Sequence, residues 1–167
     1  MTYGDVPHPP IDAPPMALGE RELDFLRFSG PNGAAFLRAF LRPGAFAGGI
    51  CWPGLFFPIA WFLYRRLYVY AGAAVLLPAL ASGAGLPRAV TWAVPVAVTA
   101  MGAMGRRLYA DAARRSIADI RARSADAPAF EAGLRAFGGV SMAGAVLGAV
   151  LTLGVALQFQ VLSGPGH

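Results

Sequence analysis

The chain has 167 residues, 56% of them hydrophobic and only 14% charged, with a net charge of +5. Soluble domains average roughly 45–50% apolar and about 25% charged residues, and a single soluble core of this size has too little volume to bury the excess. The composition excludes an ordinary soluble domain and calls for lipid as the covering solvent.

Residues 1–19 carry Pro7, Pro9, Pro10, Pro14 and Pro15 and read as an extended tail. They lack the basic start and apolar core of a secretory signal. Residues 20–43 read as short amphipathic helices. Glu20–Phe28 forms the first, broken at Ser29-Gly30-Pro31-Asn32, with Pro31 suited to the first turn of the next. That second helix puts Phe36, Leu37, Phe40 and Leu41 on one side and Arg38 and Arg42 on the other. It is expected to lie at a membrane interface or to pack on a protein partner.

No Asp or Glu occurs from Phe25 to Ala110, and uncharged runs cover 44–64, 67–87, 89–105 and 136–167. Charges are costly at membrane depth, so each run is a candidate membrane segment. The first contains Gly48, Gly49, Pro53, Gly54 and Pro58, which disfavour one continuous helix. If all four runs cross, Arg residues divide 9 to 5 between the two sides; if 46–64 dips in and returns, or lies at the interface, they divide 13 to 1. The excess of cytoplasmic Arg in membrane proteins favours the second arrangement. The expected fold is therefore an all-α, polytopic membrane protein with about three transmembrane helices, at 67–86, 89–105 and 140–162. An interfacial or re-entrant segment at 46–64 precedes them, and the N-terminus is cytoplasmic. The alternative has four crossings and an external N-terminus.

Between the second span and the third, residues 106–135 form the one sizeable polar segment, expected as a cytoplasmic amphipathic helix. Asp111/Arg115, Asp119/Arg123 and Glu131/Arg135 are spaced four apart with the acid first, the favourable order on a helix. Ile117 and Ile120 are expected to face the membrane surface. The segment reads as a solvated, ion-paired helix, with binding of anionic lipid headgroups as the sharper alternative. Pro128 and Gly138-Gly139 mark breaks before the last span, and 163–167 form a short C-terminal tail.

Two patterns supply candidate site residues. Trp52, Trp61, Tyr64, Arg65, Arg66, Tyr68, Arg106, Arg107 and Tyr109 are expected as anchors at the membrane–water boundary, where aromatic and basic side chains concentrate. Ser141, Gly144, Gly148 and Thr152 share one face of the last span, a small-residue strip that lets another helix approach closely. That helix belongs either to another subunit or to the chain's own second or third span.

Trp52, Phe56-Phe57-Pro58, Trp61 and Leu63-Tyr64-Arg65-Arg66-Leu67-Tyr68 stand in an order that resembles a family of small bacterial membrane proteins, domain of unknown function 2628. Phe28, Gly30-Pro31-Asn32 and Phe40 are similar to that family's opening, and Leu108-Tyr109 and Gly138-Gly139 to its later part. The family usually has an Asn just before the second Tyr, where this chain has Arg106-Arg107. The resemblance implies a bacterial inner (plasma) membrane location and brings no activity, cofactor or catalytic residue.

Chemistry-bearing constellations are missing from the sequence. Cys51 stands alone and His8 and His167 sit at the chain's two ends, so no disulfide, metal or haem set is expected. The acids fall within 5–24 and 111–131, away from the spans. No Ser-His-acid set or phosphate loop occurs, and the chain is expected to be non-catalytic and without cofactor. All 14 basic residues are Arg, as codon bias in a GC-rich genome produces. With no exposed aromatics interleaved on a soluble face, nucleic acid is not an expected partner. The leading expectation is an accessory, stabilising or assembly subunit of a respiratory, photosynthetic or secretory membrane complex. A stand-alone membrane-sensing or membrane-shaping protein comes second. A small transporter or lipid-handling component is third, and would need a cavity beside Arg65, Arg66 or Arg88.

Overall fold

The computed structural model describes residues 19–42, 44, 46 and 48–162. The Pro-rich stretch 1–18 and the tail 163–167 lie outside the described residues. Among the described residues every regular element is helical. In chain order they are α1 (Glu20–Ser29), a 3-10 turn (Gly30–Asn32), α2 (Ala34–Leu41), α3 (Trp52–Phe56), α4 (Pro58–Tyr64), α5 (Tyr68–Gly83), α6 (Arg88–Ala103), α7 (Gly105–Arg123), α8 (Ala127–Phe137) and α9 (Met142–Leu162).

The helices form two layers. A polar layer holds α1, α2, α7 and α8. Phe25 stacks on Phe40 at 4.2 Å and meets Tyr109 edge-on at 6.3 Å. Arg side chains of α7 reach the last carbonyls of α2: Arg107 donates to Arg42 O at 3.1 Å and Arg114 to Phe40 O. Cations there complement the unsatisfied carbonyls and negative end of a helix. α2 thus packs its Phe36 and Ala39 against the chain's own α7 rather than on a lipid surface. Ile120 is likewise turned inward, against Gly133 of α8, because the two helices fold back on each other at Asp126. The Asp126 carboxylate caps α8 by accepting from Ala129 N–H at 2.8 Å.

The apolar layer holds α3, α4, α5, α6 and α9. Pro58 lacks an N–H and cannot continue the α3 ladder, so the chain turns at Phe57 into α4. This α3–α4 hairpin docks on both sides through glycine. Gly54 of α3 crosses Gly102 of α6 so closely that a Cβ on Gly102 would lie 1.9 Å from the Gly54 carbonyl oxygen. A Cβ on Gly148 of α9 would lie 2.3 Å from Ala60 Cα, and one on Gly144 2.5 Å from the Leu63 carbonyl oxygen. α9 is therefore seated on α4, not primarily on the second or third apolar run.

Of the described residues, one stretch, Ala127–Leu157, is long and apolar enough to cross a bilayer, and only 11% of its apolar window is buried. Its apolar part is α9. α5 and α6 span 16 residues each, shorter than the segments 67–86 and 89–105 expected to cross: α5 stops at Gly83 before the turn to Pro87, and α6 stops at Ala103 where the chain passes into α7.

Candidate functional site

The layers meet at the C-terminal end of α4. Arg65 is 5% exposed there, and among the described residues no carboxylate lies within ion-pairing distance of it. Its guanidinium sits 4.2 Å from the centre of the Phe36 ring and 4.9 Å from that of Tyr109. The Tyr64 ring lies 5.5 Å away, and because ring faces carry negative charge the three substitute for part of the lost hydration. One nitrogen donates to the Ser29 carbonyl at 3.5 Å, a long bond. Ser29 Oγ, Arg65 Nε and Tyr109 Oη are all buried without a hydrogen-bond partner in the described residues. Burial pushes the Tyr109 phenol above its ordinary value of 10.0, opposed by the Ser29 hydroxyl and the Arg65 charge.

Around this cage lie the chain crossings that join the layers. Gly139 N–H donates to Phe28 O at 2.7 Å, Ser141 N–H to Tyr64 O at 2.8 Å, and Cys51 N–H to Ala103 O at 3.0 Å. Gly139 has φ +80, a backbone that L side chains rarely adopt. Its neighbour Gly138 lies against the Phe28 carbonyl, 2.3 Å from where a Cβ would stand.

The expected anchors divide into two groups. Trp61, Arg65 and Tyr109 are buried, at 6%, 5% and 3% exposure, and serve as core, not as surface anchors. Trp61 packs over Gly105, where any Cβ would meet its ring at 2.8 Å. Trp52 and Tyr68 are exposed, and Tyr64, Arg66, Arg106 and Arg107 are half-buried. Arg106 donates to Gly48 O, Arg66 to Ala136 O at 2.9 Å, and Arg107 pairs with Asp111 at 2.9 Å. Asp111 also pairs with Arg114 at 2.7 Å, so its expected partner Arg115 is left with the Asp111 backbone carbonyl instead. Asp119–Arg123 and Glu131–Arg135 pair as their spacing predicts.

The small-residue strip also resolves into separate roles. Gly144 and Gly148 meet α4, whereas Ser141 Oγ caps α9 by accepting from Gly144 N–H at 3.0 Å. Thr152 Oγ1 donates to Gly148 O at 2.7 Å on its own helix. The Arg65 cage is not among the expected arrangements: Phe36 is expected only on an apolar helix face, and Arg65 and Tyr109 only at the membrane–water boundary. Among the described residues no group of three His, Cys, Asp or Glu comes together. The site offers a buried cation, ring faces and hydrogen-bond donors, but no nucleophile–base pair. No protein-family model, curated protein or solved structure matches the chain.

Proposed function

We propose that the chain is a non-catalytic, multi-pass integral membrane protein that senses or shapes the bilayer. In this reading α5, α6 and α9 cross. The polar layer lies on the cytoplasmic side of a bacterial inner membrane, and the α3–α4 hairpin enters and leaves from that side. The observation that carries it is the hairpin's position: the chain leading into it is held to α7 where Gly48 O accepts from Arg106, and the chain leaving it is held at Arg65 between Phe36 and Tyr109. Phe56 and Phe57 at its turn are 65% and 60% exposed. Backbone that enters and returns is tolerated when protein covers it, and α6 and α9 cover this hairpin on both sides. Five helical segments then fill the cytoplasmic half of the bilayer and three the other half, a wedge that widens one leaflet.

Helix length supports the same reading. At 1.5 Å per residue the 16-residue α5 and α6 are about 24 Å long, against roughly 30 Å of hydrocarbon. Short spans thin the bilayer around them. Reconstitution into phosphatidylcholine–phosphatidylglycerol vesicles tests the proposal by imaging their diameters. Wild type is expected to shift them to smaller sizes, and Phe56→Ser/Phe57→Ser to lose most of that shift. Unchanged diameters with wild type would sink it.

A second reading, an accessory subunit of a larger membrane complex, is favoured by Leu76, Leu80, Val96, Val146, Val150 and Leu153, apolar side chains left exposed on α5, α6 and α9. It now stands behind the first, because α4 occupies the small-residue strip that recommended it. Purification in mild detergent with one stoichiometric partner would reverse the order.

A further inference from the structure

We infer that the open pocket between the start of α5 and the middle of α7 holds the phosphate of an anionic phospholipid headgroup. The inference rests on the membrane reading above and deepens it by naming a lipid site. The pocket, about 340 Å³, is lined by Arg66, Leu67, Tyr68, Tyr70, Arg115 and Ser116 among others, with no acidic side chain. Two guanidiniums from different elements thus face one opening, and neither has a carboxylate partner among the described residues. Arg66 gives one donor to the Ala136 carbonyl and Arg115 one to the Asp111 carbonyl. Each guanidinium has five donors, so most remain available. The acids one turn either side of Arg115 are engaged elsewhere, Asp111 with Arg107 and Arg114 and Asp119 with Arg123.

The surroundings select a lipid over a free anion. Tyr68 and Val69, at the mouth, are 60% and 82% exposed. Below Val69 on the same face of α5 come Leu76 and Leu80, at 59% and 66%, and Gly72 has nothing within 4 Å of where a Cβ would stand. An acyl chain therefore finds a shallow apolar track that begins at the two Arg. The first N–H groups of α5 point toward the same end and favour negative charge. Tyr68 at the rim suits the headgroup level.

The test is native mass spectrometry of the protein released from nanodiscs containing phosphatidylglycerol and phosphatidylcholine of matched chains. Wild type should retain phosphatidylglycerol preferentially. Arg115→Gln should cut that preference about fivefold, the worth of one basic contact near a membrane surface. Arg66→Gln/Arg115→Gln should bring it to parity, and Arg88→Gln should leave it unchanged. Because the Arg115 side chain is exposed, the single variant reads the pocket even if the double one folds poorly. Millimolar inorganic phosphate should not displace the lipid; displacement would make this a free-anion site and overturn the proposal. Parity in wild type, or full preference in Arg115→Gln, would overturn it too. Release of the chain by alkaline carbonate would sink the membrane reading, whereas a retained chain without lipid preference sinks the pocket alone.

Discussion

Arg65 is the residue on which the junction turns. A buried cation with no acid beside it among the described residues is costly unless its surroundings solvate it, and here the rings of Phe36, Tyr109 and Tyr64 and one carbonyl do so. A guanidinium is flat and weakly hydrated, so it stacks where an ammonium does not. Arg65→Lys should therefore lower stability by about 2 kcal/mol, in the range of a desolvated cation–π contact, read as a drop in thermal midpoint in detergent. An unchanged midpoint would show that charge, not stacking, is what the cage needs. Tyr109 adds a pH test. Its folded value is raised above 10.0, chiefly by burial, so the fold favours the neutral phenol. Its contribution is full below the unfolded value and is lost as pH rises through the raised folded value. Stability should fall at alkaline pH, and Tyr109→Phe should flatten that fall.

Among the helices, the close glycine crossings decide what packs on what. A side chain on Gly148 or Gly102 meets backbone atoms, which cannot rotate away. Gly148→Ala and Gly102→Ala should each cost about 1–3 kcal/mol or more, as overpacking does, and expose the α3–α4 hairpin to protease. Gly154→Ala and Gly83→Ala, with nothing within 4 Å, should be neutral or slightly stabilising, since Ala is the better helix former. Equal stability of Gly148→Ala and Gly154→Ala would remove α4 as the partner of α9. The same crossing explains why the strip belongs to the chain's own fold: a helix seated this closely leaves no room for another subunit there.

Taken together, the layers make a prediction about sidedness. In the proposed orientation Ser124, between α7 and α8, faces the cytoplasm, and Ala84, at the α5–α6 turn, faces the other side. In a Cys51→Ser background, Ser124→Cys should react with an impermeant thiol reagent only in inside-out vesicles, and Ala84→Cys only in right-side-out ones. Labelling of both from the same side would rule out a crossing by the α5–α6 hairpin. The wedge and the short helices would then lose their meaning for bilayer shape.

Where most helices fall is legible in the sequence, because the causes are local. The polar segment 106–135, expected as one helix, nevertheless divides at 124–126 into α7 and α8, the Asp126 carboxylate capping the second. Pro31, Pro58 and Gly138-Gly139 interrupt the chain where the helices break, and uncharged runs supply α5, α6 and α9. The pairing of Asp119 with Arg123 and of Glu131 with Arg135 is equally local. Tertiary packing alone determines which side chains are enclosed. Phe36, Arg65 and Tyr109 are far apart in the chain, and nothing in their spacing says that they meet. Trp61 has the composition of a surface anchor and lies in the core because Gly105 leaves room for its ring. Asp111 chooses Arg107 and Arg114 over Arg115 as α7 docks on α2. Hydropathy and helix breaking act over a few residues, whereas burial and partner choice depend on what the rest of the chain brings alongside.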